Sequence, residues 1–193
     1  MTLEAPQASD AELVAAVRKK DRKATAEFVS RYSGALYSYL RRRLMPRQDV
    51  VDDLFQQVFL EAWQQLASYR GESGVKAWLL GIARHKVQSH YRILLRESQI
   101  DENGEEPEAS GDLAALFDKQ VSHERVWAVL TILPEDARVL LLWRYWEGWS
   151  AEAMASAAGK TVKGVERALA RARAQFKEHW HVVERQGVRS GHE

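Results

Sequence analysis

The chain contains no cysteine. That excludes a disulfide framework, a thiol nucleophile and any Cys-based zinc or iron–sulfur centre, and it suits a reducing compartment. No run approaches the roughly 18 consecutive apolar residues of a membrane span. The opening stretch, MTLEAPQASDAELVAAV, lacks a basic segment followed by an apolar one, so it does not read as a signal peptide. The expectation is a cytoplasmic protein. Only 4 Pro and 11 Gly occur in 193 residues, which argues against collagen-like and linker-dominated classes. There is no Gly-rich phosphate loop and no His/Asp/Glu ligand cluster. His179 and His181 fall on different faces of a helical segment, as tail surface rather than a metal site. No catalytic residue, metal or cofactor is therefore expected.

An excess of one charge is missing too, since the formal net charge is +1. Its distribution is uneven. Residues 1–92 carry a net +5, residues 93–118 a net −7, and residues 119–193 a net +3. Two mildly basic blocks thus flank a strongly acidic one, and this asymmetry is more informative than the total. Seven Trp predict large rings in cores or interfaces.

Hydrophobic periodicity is helical nearly throughout. Asp10 suits the N-cap of a first helix with Leu13, Val14 and Val17 on one face. A second helix spans about 23–44, carried by Phe28, Tyr32, Leu36 and Leu40, and is stopped by Pro46. A third runs over about 49–68 on Val51, Leu54, Phe55, Val58, Phe59, Ala62, Trp63 and Leu66. A Gly-bracketed loop, YRGESG, precedes a fourth helix over about 75–95. The segment IDENGEEPEASGD holds six acids and one sizeable apolar residue, too little to bury, and reads as a linker. Helices resume over about 116–131, 135–146, 151–158 and 162–181, with a frayed tail. The fold class is all-α: two small helical domains, 10–95 and 117–181, joined by an acidic flexible linker, 96–116.

Three stretches carry chemistry. In EGWSAEAMASAAGKTVKGVERALARARAQF, Ser150 caps a short helix of small residues, Gly159 turns the chain and Thr161 caps a longer helix. That is a helix-turn-helix arrangement. Its second helix sets Lys163, Glu166, Arg167, Ala170 and Arg171 on an outer face able to reach base edges and phosphates. The alternative is an αα-hairpin with a solvated basic face. In ASYRGESGVKAWLLGIARHKVQSHYR, aromatics alternate with cations: Tyr69, Arg70, Lys76, Trp78, Arg84 and His85 have the mixture that stacks on unpaired bases and tracks phosphates. Trp78 and Tyr91 also fit a core. In the third helix, Asp49, Asp52, Asp53, Gln56, Gln57 and Glu61 form an acidic, amide-rich stripe. Such a face repels phosphate, so it meets protein or solvent.

Together these residues resemble a family. DVVDDLFQQVFLEAWQQLASYRGESGVKAWLLGIARHKV is similar to region two of bacterial sigma factors, and LPEDARVLLLWRYWEGWSAEAMASAAGKTVKGVERALARAR to region four. With only an acidic linker between them, the layout resembles the extracytoplasmic-function (ECF) group. The resemblance implies a promoter-specificity subunit of RNA polymerase. Asp49, Asp52, Asp53, Gln56 and Gln57 would dock on the β′ clamp helices. Tyr69, Arg70, Lys76, Trp78, Arg84 and His85 would bind the −10 element. Arg144, Thr161, Lys163, Glu166, Arg167 and Arg171 would face the −35 element, and the apolar side around 140–146 would help bind the β flap. The acidic linker would thread toward the catalytic cleft, and an anti-sigma factor would be a further partner. Gln57, His85, Lys160, Glu166 and Ala168 depart from residue types usual in the family.

The competing reading is a stand-alone helix-turn-helix regulator with a helical sensing or dimerisation domain. It predicts a ligand pocket or a self-complementary interface, and operator binding without polymerase.

Overall fold

The computed structural model describes residues 8–98, 113 and 123–189. All regular structure among them is helical. The helices are α1 (Asp10–Arg18), α2 (Arg22–Leu44), α3 (Gln48–Gln65), α4 (Val75–Glu97), α5 (His123–Ile132), α6 (Glu135–Leu141), α7 (Ala151–Ala158) and α8 (Val162–Arg189). A single 3-10 turn, Leu66–Ser68, follows α3, and a π-helical segment, Leu142–Trp146, follows α6. The chain divides into two compact units, Met1–Ser89 and His90–Glu193, with the boundary inside α4. The linker expected over 96–116 begins on the last residues of α4 and then lies outside the described residues, except for Leu113, which is buried.

In the first unit, Ser9 and not Asp10 caps α1. Its hydroxyl accepts from the Glu12 amide at 3.3 Å, and the Glu12 carboxylate accepts in return from the Ser9 N–H at 2.9 Å. This reciprocal box satisfies two orphan donors. Asp10 instead reaches α2: the Tyr32 hydroxyl donates to its Oδ1 at 2.5 Å and Arg31 Nη1 at 3.2 Å. Asp21 caps α2 by accepting from the amides of Lys23 and Ala24 at 2.8 and 3.0 Å. Met45, held extended before Pro46, ends it. The periodic set Phe28, Leu36, Leu40, Val51, Val58, Ala62, Leu79 and Ala83 forms the buried core. Across α3 and α4, Lys86 Nζ pairs with Glu61 Oε2 at 2.5 Å, which withdraws Glu61 from the acidic stripe.

In the second unit, Val139, Leu140, Leu141 and Trp143 pack with Met154, Val165, Leu169, Ala172 and Phe176. The expected helix over 135–146 widens into a π turn after Leu141, closed by Glu147 N–H donating to Leu142 O at 3.1 Å. Around this turn Trp143 stacks on Trp149, ring centroids 4.5 Å apart, and Trp146 meets Trp127 at 5.7 Å. Helix α8 continues past 181 to Arg189.

Candidate functional site

The acidic stripe on α3 divides in two. Asp49 is engaged by Arg47, whose Nη2 and Nε donate at 2.7 and 3.0 Å. That hydrogen bond lowers the Asp49 carboxyl to about 2. Asp52 accepts from Gln48 Nε2 at 3.0 Å and from the Tyr37 hydroxyl at 3.2 Å. These two acids brace the start of α3. Both are exposed, as are Asp53, next to Asp52, and Gln56 and Gln57 one turn further on. Leu60, seven residues after Asp53 and so on the same face, is 60% exposed. It falls outside the apolar set that builds the core, so periodicity alone does not mark it. An acid, two amides and an uncovered leucine in line form a face suited to a protein partner.

After α3, the 3-10 turn delivers Tyr69, half-buried, into the loop. Its hydroxyl donates to Ser73 O and its ring lies against Trp78, centroids 4.8 Å apart. Burial first, and then the Asp10 charge, push the Tyr69 phenol up. Gly71 takes φ +76°, a left-handed value that suits glycine. Arg70 and Lys76 are exposed, and Arg70 makes only a loose 4.0 Å approach to Glu72. On α4, Arg84 and His85 are exposed and Trp78 half-buried. Trp78 and His85 are seven residues apart and share a face. The loop thus offers a ring pair with cations around it. Tyr91 is different: it is buried, with its ring 6.4 Å from Trp143, and belongs to a core.

The helix-turn-helix forms as its caps predict. Ser150 Oγ accepts from Ala153 N at 3.2 Å, Gly159 takes φ +64°, and Thr161 Oγ1 accepts from Gly164 N at 3.0 Å. Lys163 and Glu166 are exposed and Arg167 and Arg171 half-buried. Ala170, expected on the outer face, is buried, as is Ala168, because the inward stripe of this helix is wide. Beside them lies a polar cleft of about 540 Å³ lined by Arg144, Ser150, Glu152, Glu166, Ala170 and Arg173. Arg144 Nη1 donates to Trp149 O at 3.1 Å, and Arg173 Nε donates to the Tyr145 hydroxyl at 2.9 Å. The Ser150 hydroxyl, and more weakly the Arg144 charge, lower the Glu152 carboxyl. Arg173 is not among the residues that the helix-turn-helix pattern marks. Its signal is its spacing, seven residues after Glu166 on the same face. Lys160 sits at a usually apolar position and is half-buried, and its ammonium donates to Ser98 O at 3.1 Å. The stem fills the apolar site while the charge meets a carbonyl at the end of α4.

Of the apolar stretch 140–146, Leu140, Leu141, Leu142 and Trp143 are core, so they present no surface. Trp146 is 38% exposed and Ile132 54%.

Comparison with known proteins agrees with this layout. Residues 28–95 match Sigma-70 region 2, and residues 123–176 match Sigma-70, region 4. The ECF RNA polymerase sigma-E factor of Escherichia coli (strain K12) is 32% identical over 177 residues, covering 86% of this chain and 92% of the relative. This chain belongs to the ECF group of sigma-70 factors. The RNA polymerase sigma factor YlaC of Bacillus subtilis (strain 168) is 27% identical over 163 residues, covering 83% and 94%. Among solved structures, CnrH in complex with the cytosolic domain of CnrY is 26% identical, covers 90% of this chain and 97% of that one, and superposes with a TM-score of 0.42. The ECF chain is a sigma subunit, a DNA-binding factor of transcription initiation, and the stand-alone regulator is not favoured. Factors of this kind are known as non-catalytic. Among the described residues no helix is long and apolar enough to cross a membrane.

Proposed function

We propose that this sigma factor divides its work among three surfaces and carries no reaction of its own, acting in the cytoplasm. Asp53, Gln56, Gln57 and Leu60 dock on the β′ clamp helices, with Asp49 and Asp52 bracing the start of α3. The Tyr69–Lys76 loop with Trp78, Arg84 and His85 takes the unstacked base of the −10 element, since rings stack on any base and cations hold the phosphates. Thr161, Lys163, Glu166, Arg167 and Arg171 face the −35 duplex, with Arg144 at its edge. Trp146 and Ile132 give the β flap an apolar contact. An anti-sigma factor is a further partner, and the domain limits are 10–95, 96–116 and 117–181. The single observation that carries the division is spatial. The ring pair lies in the first unit and the helix-turn-helix in the second, so strand-separated and duplex DNA meet different chemistry.

Glu166 is the telling residue of the second unit. A carboxylate repels phosphate and pairs with cytosine N4, so it selects sequence while lowering affinity. A promoter library transcribed with core polymerase tests the division. Glu166→Lys is expected to strengthen −35 binding broadly and relax its preference, with about 1–3 kcal/mol of discrimination at stake. His85→Ala is expected to leave −35 preference unchanged and reduce promoter opening, because only a strand-separated base fills a pocket. A −35 shift from His85→Ala, or a purely −10 shift from Glu166→Lys, reverses the assignment.

A further inference from the structure

Arg18 ends α1 and opens the basic run RKKDRK, residues 18–23. Its side chain reaches across the first unit to the loop that follows α3. Nε donates to Leu66 O at 3.0 Å, and Nη2 donates to Tyr69 O. These carbonyls bracket the 3-10 turn Leu66–Ser68, 48 and 51 residues away in sequence. Leu66 O also accepts from Tyr69 N–H at 3.3 Å, so one oxygen joins the turn to the arginine. The carbonyl end of a helical turn is its negative pole, where a cation belongs. The guanidinium fork spans two acceptors in fixed geometry, which the point charge of a lysine does not reproduce. Beside this strut lies an open cavity of about 550 Å³, bordered by Val17, Thr25, Trp63 and Leu66.

Beyond the turn, the Tyr69 hydroxyl and ring are fixed by Ser73 and Trp78. Its backbone is fixed by Arg18. We propose that Arg18 is a positioning residue for promoter opening: it presets the Tyr69–Lys76 loop so that the pocket for the unstacked base is formed before DNA arrives. The inference rests on the reading of that loop as the −10 reader. Two of the five N–H donors of Arg18 are spent on protein carbonyls, and its proposed role is to hold the loop through them, not to read a base. Preorganisation of this kind lowers the ordering cost at binding and sharpens discrimination, because the wrong base meets a pocket that does not yield.

The experiment uses the full chain bound to core RNA polymerase. The probe is a fork-junction DNA library with a randomised six-nucleotide single-stranded segment at the −10 position. Arg18→Ala is expected to weaken fork binding roughly tenfold and to flatten the base-preference profile. Core-polymerase affinity, −35 preference and Tm are expected to move little. Arg18→Lys, which can reach one carbonyl, is expected to recover part of the profile. Tyr69→Ala is run in parallel. If Tyr69→Ala flattens the profile and Arg18→Ala does not, the positioning role is overturned and the loop reading stands. If Tyr69→Ala leaves the profile intact, the loop reading fails and takes the proposal with it. If Arg18→Ala lowers Tm, polymerase affinity and fork binding in parallel, Arg18 serves the fold alone and the proposal is overturned.

Discussion

At the residue scale, side-chain partners separate exposed groups that hold the fold from exposed groups open to a partner protein. Asp53 is an exposed acid one helical turn beyond Asp49, which is held by Arg47. Reversing an exposed charge changes stability by less than about 0.5 kcal/mol, whereas a repulsive charge in an interface costs several times that. Asp53→Arg is therefore expected to weaken binding to core polymerase at least tenfold with Tm within about 2 °C of the parent. Equal losses in both measurements would make the stripe structural. Tyr32 gives the opposite case. Its phenol, buried and donating to Asp10, is pushed up to about 12 from an ordinary 10.0, first by burial and then by that partner. A raised folded-state pKa contributes stability that is complete below the unfolded value. It is lost as pH rises from about 10 through about 12, where the unfolded chain ionises first. Urea melts between pH 9 and 12 are expected to show a steeper loss for the parent than for Tyr32→Phe. Parallel curves would remove Tyr32 from the linkage.

At the element scale, helices α1 and α7 both close with a bond reaching five residues back. In α1, Asp21 N–H donates to Ala16 O at 3.2 Å and Lys20 N–H to Val17 O at 2.9 Å. In α7, Lys160 N–H donates to Ala155 O at 3.0 Å. Both place a left-handed residue just past the helix, Lys20 at φ 63° and Gly159 at φ 64°. This is the Schellman arrangement, which favours glycine. Lysine at that position costs about 1–2 kcal/mol, part of which glycine returns as lost chain entropy. Lys20→Gly is expected to raise stability by about 0.5–1 kcal/mol in denaturant melts with polymerase binding unchanged; a lower midpoint would contradict this.

The same elements show what the sequence makes legible. Helix α7 falls where Ser150 and Gly159 bracket it, since a cap and a left-handed stop are local chemistry. The first helix is displaced at its cap because Ser9 and Asp10 both suit the position, and only α2 decides between them by drawing Asp10 to Tyr32. The π turn at 142–146 leaves no local mark. It coincides with the contacts of Trp143 on Trp149 and of Trp146 on Trp127, which join residues from separate turns and helices. The Arg18 strut spans 48 residues and more, beyond any local pattern. The HTH face was legible as a stripe. Yet the pattern alone puts Ala170 outward and gives Arg173 no prominence, because the width of the buried stripe depends on what α8 packs against.

At the scale of the whole molecule, charge and division of labour go together. A net charge of +1 leaves little counterion-release affinity for duplex DNA, so free chain should hold promoters poorly. In the proposed division, two mildly basic blocks, each meeting a different form of the promoter, become effective when polymerase holds both at one site. Joining two weak contacts in this way raises binding by effective concentration without any new contact. The decisive measurement is reconstituted initiation: purified chain, core RNA polymerase and a promoter library, scored by run-off transcripts and by DNA retention with and without core. The account predicts tight association with core, transcripts starting from promoters that share −10 and −35 elements, and weak duplex binding by the chain alone at physiological salt. Nanomolar binding of the free chain to one duplex operator, with no association to core and no transcript, would contradict it.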